Sequence, residues 1–173
     1  MYYHNILHND MMNGPGLRAV LFVSGCEHHC KGCQNPQTWE PTSGIPFDST
    51  AKLELFNLLD KDYISGITIS GGDPLATYNL KDVSELVEEI RKIWNNRKSI
   101  WIYTGYTYDN LKILEKRNSY LQSILNLIDG LVDGEYIEEL RDVSLPWVGS
   151  SNQIVHTTDL PYVQNNPDII NKN

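Results

Sequence analysis

Cys26, Cys30 and Cys33 are the three cysteines of this 173-residue chain, and they stand close together in Gly25-Cys26-Glu27-His28-His29-Cys30-Lys31-Gly32-Cys33. Sulfur clustered at C-x3-C-x2-C spacing points to metal or redox chemistry. Four thiolates complete an ordinary iron–sulfur cluster or a structural zinc site. A cubane cluster held by three keeps one iron without a protein ligand, and that iron can bind a substrate. The same residues allow other readings. Zinc could take its fourth ligand from His28 or His29, but only if the loop folded back tightly, because zinc sites more often use two separated ligand pairs. A Cys30-Lys31-Gly32-Cys33 dithiol would leave Cys26 unexplained. Three plain thiols are the simplest case.

A second stretch, Gly71-Gly72-Asp73-Pro74, also has chemical potential. Two glycines at a strand end let the backbone approach a ligand, and free carbonyls there can accept from an ammonium group. A plain strand-to-helix turn reads the same way. His28 and His29 read as solvated loop residues, and His4, His8 and His156 have no visible role. Trp39, Trp101 and Trp147 suit core or interface positions. Asp133 could contact a ribose or cap the helix that follows it.

These residues need elements to hold them. Arg18-Ala19-Val20-Leu21-Phe22-Val23-Ser24 is short, apolar and β-prone, which predicts a buried strand running into the cysteine loop. Gly66–Ser70 predicts a second strand ending at Gly71, Ser99–Tyr103 a third, Gly130–Val132 a fourth and Gln153–His156 a fifth. A helix capped by Asp48 or Ser49 should run to about Leu59. Leu80, Val83, Val87, Ile90 and Trp94 recur at helical spacing and predict a second helix. Shorter helices are expected near Leu111–Glu115 and Tyr120–Leu127, and a helical turn or two within Glu135–Arg141. Residues 2–16 lack a clear period and end in the turn signal Asn13-Gly14-Pro15-Gly16. Residues 34–47 carry Pro36, Pro41, Gly44 and Pro46 and read as a long ordered loop. Strands alternating with helices predict an α/β fold with mostly parallel strands and crossover helices. The chain is too short for a full eight-fold barrel, so a partial, open (β/α) barrel is expected, with its functional loops at the strand C-terminal ends.

Composition sets the outer bounds. Apolar residues make up 40% and charged residues 21%, as in an ordinary globular protein. The length suits a single domain over residues 1–160, with an Asn-rich, loose tail over 161–173. The formal net charge of −8 argues against a nucleic-acid surface. No apolar run is long enough for a membrane helix, and no signal peptide is visible. Three unpaired cysteines fit a reducing cytoplasm.

The cysteine motif resembles that of the radical S-adenosylmethionine (radical SAM) enzymes. Further stretches narrow the resemblance: Asn13-Gly14-Pro15-Gly16, Leu21-Phe22-Val23-Ser24-Gly25-Cys26, Cys33-Gln34-Asn35 with Thr38-Trp39, Ser70-Gly71-Gly72-Asp73-Pro74-Leu75, Trp101-Ile102-Tyr103-Thr104-Gly105-Tyr106, Leu131-Val132-Asp133-Gly134 and Gly149–His156. Over residues 4–158 the chain resembles the glycyl-radical activases that serve anaerobic ribonucleoside-triphosphate reductase. That resemblance implies an open barrel of the radical SAM type and a [4Fe-4S] cluster on Cys26, Cys30 and Cys33. It also implies S-adenosylmethionine bound near Gly32, Cys33, Gln34, Gly71, Gly72 and Asp73. Asp73 stands where the family's GGE-type motif usually has Glu. The implied protein substrate is the large reductase subunit, and the implied electron donor is a protein such as a flavodoxin. Two rival readings are a radical SAM enzyme acting on a small molecule or on another glycyl-radical enzyme, and a zinc-binding interaction module.

Overall fold

The computed structural model describes residues 1–157 and 160–164. Its sheet contains β1 (Tyr2–Asp10), β2 (Arg18–Val23), β3 (Ile45–Pro46), β4 (Gly66–Gly71), β5 (Ser99–Tyr103), β6 (Gly130–Asp133) and β7 (Ile154–His156). The strand order is β3-β1-β2-β4-β5-β6-β7. The centre, β2-β4-β5-β6, is parallel, and the outer strands β1, β3 and β7 pair antiparallel. β3 and β7 lie at opposite edges, so the sheet is open. Four helices make the crossovers: α1 (Ser49–Leu59) between β2 and β4, α2 (Leu80–Trp94) between β4 and β5, and α3 (Tyr108–Leu114) with α4 (Ser119–Leu125) between β5 and β6. A parallel pair requires such a connection. One further helical turn, α5 (Pro161–Gln164), follows β7. The rest of the expected tail lies outside the described residues.

The two sheet faces have different chemistry. Ala19, Leu21, Val23, Ile67, Ile69, Ile100, Ile102 and Leu131 are buried in one core with Leu55, Leu59, Val83, Val87, Ile90 and Ile124 of the helices. The intervening positions, Arg18, Phe22, Thr68, Ser70, Trp101 and Tyr103, lie on the other face by the two-residue period of a strand. α2 shows why the sequence pattern succeeds. Leu80, Val83, Val87, Ile90 and Trp94 form its buried stripe, and burying each such side chain contributes about 1.5–3 kcal/mol. Asp48 caps α1 by accepting from the N–H groups of Thr50 and Ala51, each at 3.0 Å.

Two arginines fasten the frame away from the cysteine loop. Arg18 is fully buried at the start of β2. It donates to Thr68 Oγ1 at 2.8 Å, Ile67 O at 2.6 Å, Ser99 Oγ at 2.8 Å and Pro15 O at 2.9 Å, so it joins β2, β4 and β5 to the preceding turn. Burial pushes its pKa down to about 10. Arg91 of α2 donates to Leu127 O at 2.6 Å and Lys98 O at 2.9 Å, and pairs with buried Asp129. Its guanidinium lies 4.0 Å from the Tyr162 ring centroid of α5.

The structure adds strands that the pattern did not reveal. β1 falls in the stretch without a clear period. Its pairing with β2 shifts register between Tyr3 and Asn5 and again between Leu7 and Asp10. Each shift breaks the alternation of buried and exposed side chains, which is the usual mark of a strand. β3 is two residues long, inside the expected loop. Within Glu135–Arg141 a single 3-10 turn forms, at Glu138–Leu140.

Candidate cluster and cofactor site

The cysteine loop leaves the C-terminal end of β2, where parallel sheets place their functional loops. It is joined to the segment ending at Trp39: Gly25 N donates to Thr38 O at 2.6 Å and Cys26 N to Trp39 O at 2.9 Å. Cys33 N donates to Cys30 O at 3.1 Å and closes the turn between them. Gly32 sits in that turn at φ +72°, a backbone shape that favours glycine. The loop and the end of β4 enclose a cavity of about 360 Å³ lined by Cys26, Cys30, Cys33, Gln34, Gly71, Gly72 and Asp73. Seven of the eight expected site residues therefore meet in one place. Gly32 is not among the lining residues and faces the Glu138 side chain.

One backbone N–H is bonded to a sulfur. Asn35 N donates to Cys33 Sγ at 3.3 Å. Burial pushes the Cys26 thiol above its ordinary pKa, and the N–H groups of His28 and His29 oppose it. Burial also raises Cys30, opposed by the N–H of Tyr136. Donors aimed at sulfur favour the thiolate, the form that ligates metal, and they tune iron–sulfur potentials. Among the described residues, no three His, Cys, Asp or Glu side chains converge as they would around a single ion. All three cysteines line the one cavity.

The Gly71-Gly72-Asp73 loop serves packing as well as the cavity. Gly72 N donates to Val23 O at 2.8 Å and Asp73 N to Gly25 O at 2.6 Å, so this loop lies directly on the start of the cysteine loop. A Cβ on Gly72 would collide with the Gly25 carbonyl, and one on Gly71 would come 2.8 Å from Phe22 Cα. Asp73 is buried, and its carboxylate is already heavily engaged. It accepts from Leu75 N at 2.8 Å, Thr104 Oγ1 at 3.0 Å, Gly105 N at 3.0 Å and His28 Nε2 at 2.9 Å.

His28 is the site residue that sequence reasoning missed. Its side chain is only 11% exposed, so it is not a solvated loop residue. Besides Asp73, it reaches Glu135 Oε1 through Nδ1 at 3.1 Å. A ring between two carboxylates satisfies both only as the imidazolium. The hydrogen bond to Asp73 accordingly pushes its pKa up. No spacing rule links residues 28, 73 and 135, so no local signal could have found the group. His29 packs on Trp39, with ring centroids 4.8 Å apart. Asp133 accepts from Tyr108 N at 2.6 Å and Ile154 N at 3.2 Å, so it ties the first residue of α3, the helix before it, to β7, while Thr107 caps that helix.

Known proteins match this chain along nearly all its length. A family model described as a 4Fe-4S single cluster domain matches residues 12–156. The anaerobic ribonucleoside-triphosphate reductase-activating protein of Escherichia coli K12 is 44% identical over 158 residues, covering 90% of this chain and 98% of that protein. The protein of the same name from Haemophilus influenzae is 39% identical, covering 90% and 97%. That from Enterobacteria phage T4 is 40% identical over 153 residues, covering 88% and 92%. With the three cysteines gathered on one cavity inside the matched region, this chain belongs to the family of anaerobic ribonucleoside-triphosphate reductase-activating proteins.

Proposed function

We propose that this chain is an activase that uses a [4Fe-4S] cluster and S-adenosylmethionine to generate a glycyl radical on anaerobic ribonucleoside-triphosphate reductase. The observation that carries this reading is the meeting of all three cysteines and the Gly71-Gly72-Asp73 loop around one cavity. When bound, the cluster and S-adenosylmethionine supply a 5′-deoxyadenosyl radical by one-electron cleavage of a carbon–sulfur bond, with release of methionine. Cys26, Cys30 and Cys33 would hold the cluster, and the N–H groups of residues 28, 29, 35 and 136 would stabilise their thiolates. Gln34, Gly71 and Gly72 line the same cavity and would contact the methionyl end. The Asp73 carboxylate is occupied within the protein, so its backbone is the better candidate for a ligand contact.

The open sheet, with helices on one face, fits a partial barrel of the radical SAM type. The cavity at the C-terminal ends of its parallel strands would receive the reductase segment that carries the target glycine. Abstraction requires that glycine to sit close to the radical carbon, so a partner loop must enter the mouth and exclude water. A cytoplasmic location and a flavodoxin-like electron donor complete the reading. No described helix is long and apolar enough to cross a membrane.

The test mixes protein, S-adenosylmethionine and a strong reductant anaerobically with the reductase or with pyruvate formate-lyase. A glycyl-radical doublet in the EPR spectrum on the reductase alone is expected. A doublet on pyruvate formate-lyase alone would overturn the substrate, and cofactor cleavage with neither doublet would point to a small-molecule reaction.

A further inference from the structure

Glu27, His28 and His29 separate Cys26 from Cys30, and each is anchored to the rim. Glu27 accepts from Thr77 Oγ1 at 3.1 Å and Tyr106 Oη at 2.8 Å. His29 lies against Trp39. His28 has the widest reach, with Asp73 after β4 on one ring nitrogen and Glu135 after β6 on the other. Asp73 extends the chain of bonds to Thr104 and Gly105 after β5. The His28 ring also meets Tyr106 edge-on, with centroids 4.7 Å apart. One imidazole thus joins the loops that follow all four parallel strands. It also lines both the cluster cavity and a neighbouring cavity of about 740 Å³.

We propose that His28 is a positioning residue: it fixes the cysteine loop against the ends of β4, β5 and β6, so that the three thiols and the Gly71-Gly72 loop are held around one cavity before cluster or S-adenosylmethionine binds. The inference rests on the cluster and S-adenosylmethionine reading above. It adds that the residues between the first two cysteines set the geometry of the site. Preorganisation matters here because a small displacement of a bound reactant costs heavily in rate. Outer-shell partners of metal ligands commonly change affinity or activity by about 10–100-fold.

The experiment compares wild type with His28→Phe and His28→Gln. Phenylalanine keeps a ring against Tyr106 and loses both hydrogen bonds, whereas glutamine retains an N–H for Asp73. In cluster-free protein, His28→Phe is expected to speed amide hydrogen exchange of residues 26–33 about tenfold, the scale of one charged hydrogen bond, with β4 and β5 unchanged. His28→Gln should restore most of that protection. After reconstitution, the S-adenosylmethionine concentration giving half the change in the reduced cluster's EPR signal should rise about tenfold in His28→Phe and less in His28→Gln. Wild-type exchange and a wild-type response in His28→Phe would overturn the proposal. Equal loosening of β4 and β5 would also overturn it, by making His28 an ordinary stability residue. Should His28→Phe not fold, Glu135→Ala breaks only the outer bond at a half-exposed position and should loosen residues 26–33 in the same direction; wild-type exchange there counts against the proposal. Failure of the reductase as substrate would appear separately, as missing glycyl radical with these readouts intact.

Discussion

At the residue scale, Cys26, Cys30 and Cys33 have no substitute, because the chain holds no fourth cysteine. Replacing any one by Ala should abolish the cluster, with a loss beyond the about 10–100-fold typical of outer-shell changes. Iron and sulfide content after anaerobic reconstitution checks this; a variant that keeps four irons and cleaves S-adenosylmethionine normally would remove that cysteine from the site. Gly72 makes a sharper case. From sequence its lack of a side chain reads as room for a ligand, yet the atom that a Cβ would strike is the Gly25 carbonyl. Gly72→Ala should therefore push the two loops apart and destabilise cluster-free protein by about 1–3 kcal/mol, as overpacking does. Urea denaturation measures it, and unchanged stability would show that the loops part easily. The thiols were legible because three cysteines at short spacing announce themselves. The His28–Asp73–Glu135 group was not, because its members come from three loops brought together only by the sheet.

At the element scale, the parallel strands act as a rack with the chemistry at one end and structural anchors elsewhere. Arg18 opens β2 and Cys26 follows its end, so the two tasks occupy opposite ends of one strand. Arg18→Met would leave carbonyls of Pro15, Ile67 and Ser99 without their buried donor. A loss of at least about 3 kcal/mol is expected, since each orphaned group costs about 1–3 kcal/mol. Iron bound per folded chain should stay at the wild-type level. Urea titration alongside iron analysis separates the two effects, and loss of iron at unchanged stability would contradict the division. Strands β2, β4, β5 and β6 were readable because they are short apolar runs buried on both faces. α2 was readable from its apolar stripe. β1 was hidden by its two register shifts, and β7 gave no sign that it would pair antiparallel.

At the scale of the whole molecule, the core does not depend on the cluster. It is built from apolar side chains of strands and helices, and the cysteine loop is held by bonds within the protein. Removing the cluster with a chelator should therefore leave the far-UV circular dichroism close to that of loaded protein, unlike a zinc finger, which unfolds without its metal. Collapse of the spectrum would show that the cluster builds the loop rather than entering it. The open sheet was readable as a class from the alternation of elements, and the glycines at strand ends marked where its functional loops lie. The central claim is that the radical formed here takes hydrogen from a glycine of the reductase. The direct measurement uses reductase carrying glycine deuterated at its α-carbon, incubated anaerobically with this protein, S-adenosylmethionine and reductant. Deuterium should appear in 5′-deoxyadenosine in proportion to the glycyl radical seen by EPR; 5′-deoxyadenosine free of deuterium while the radical accumulates would contradict the account.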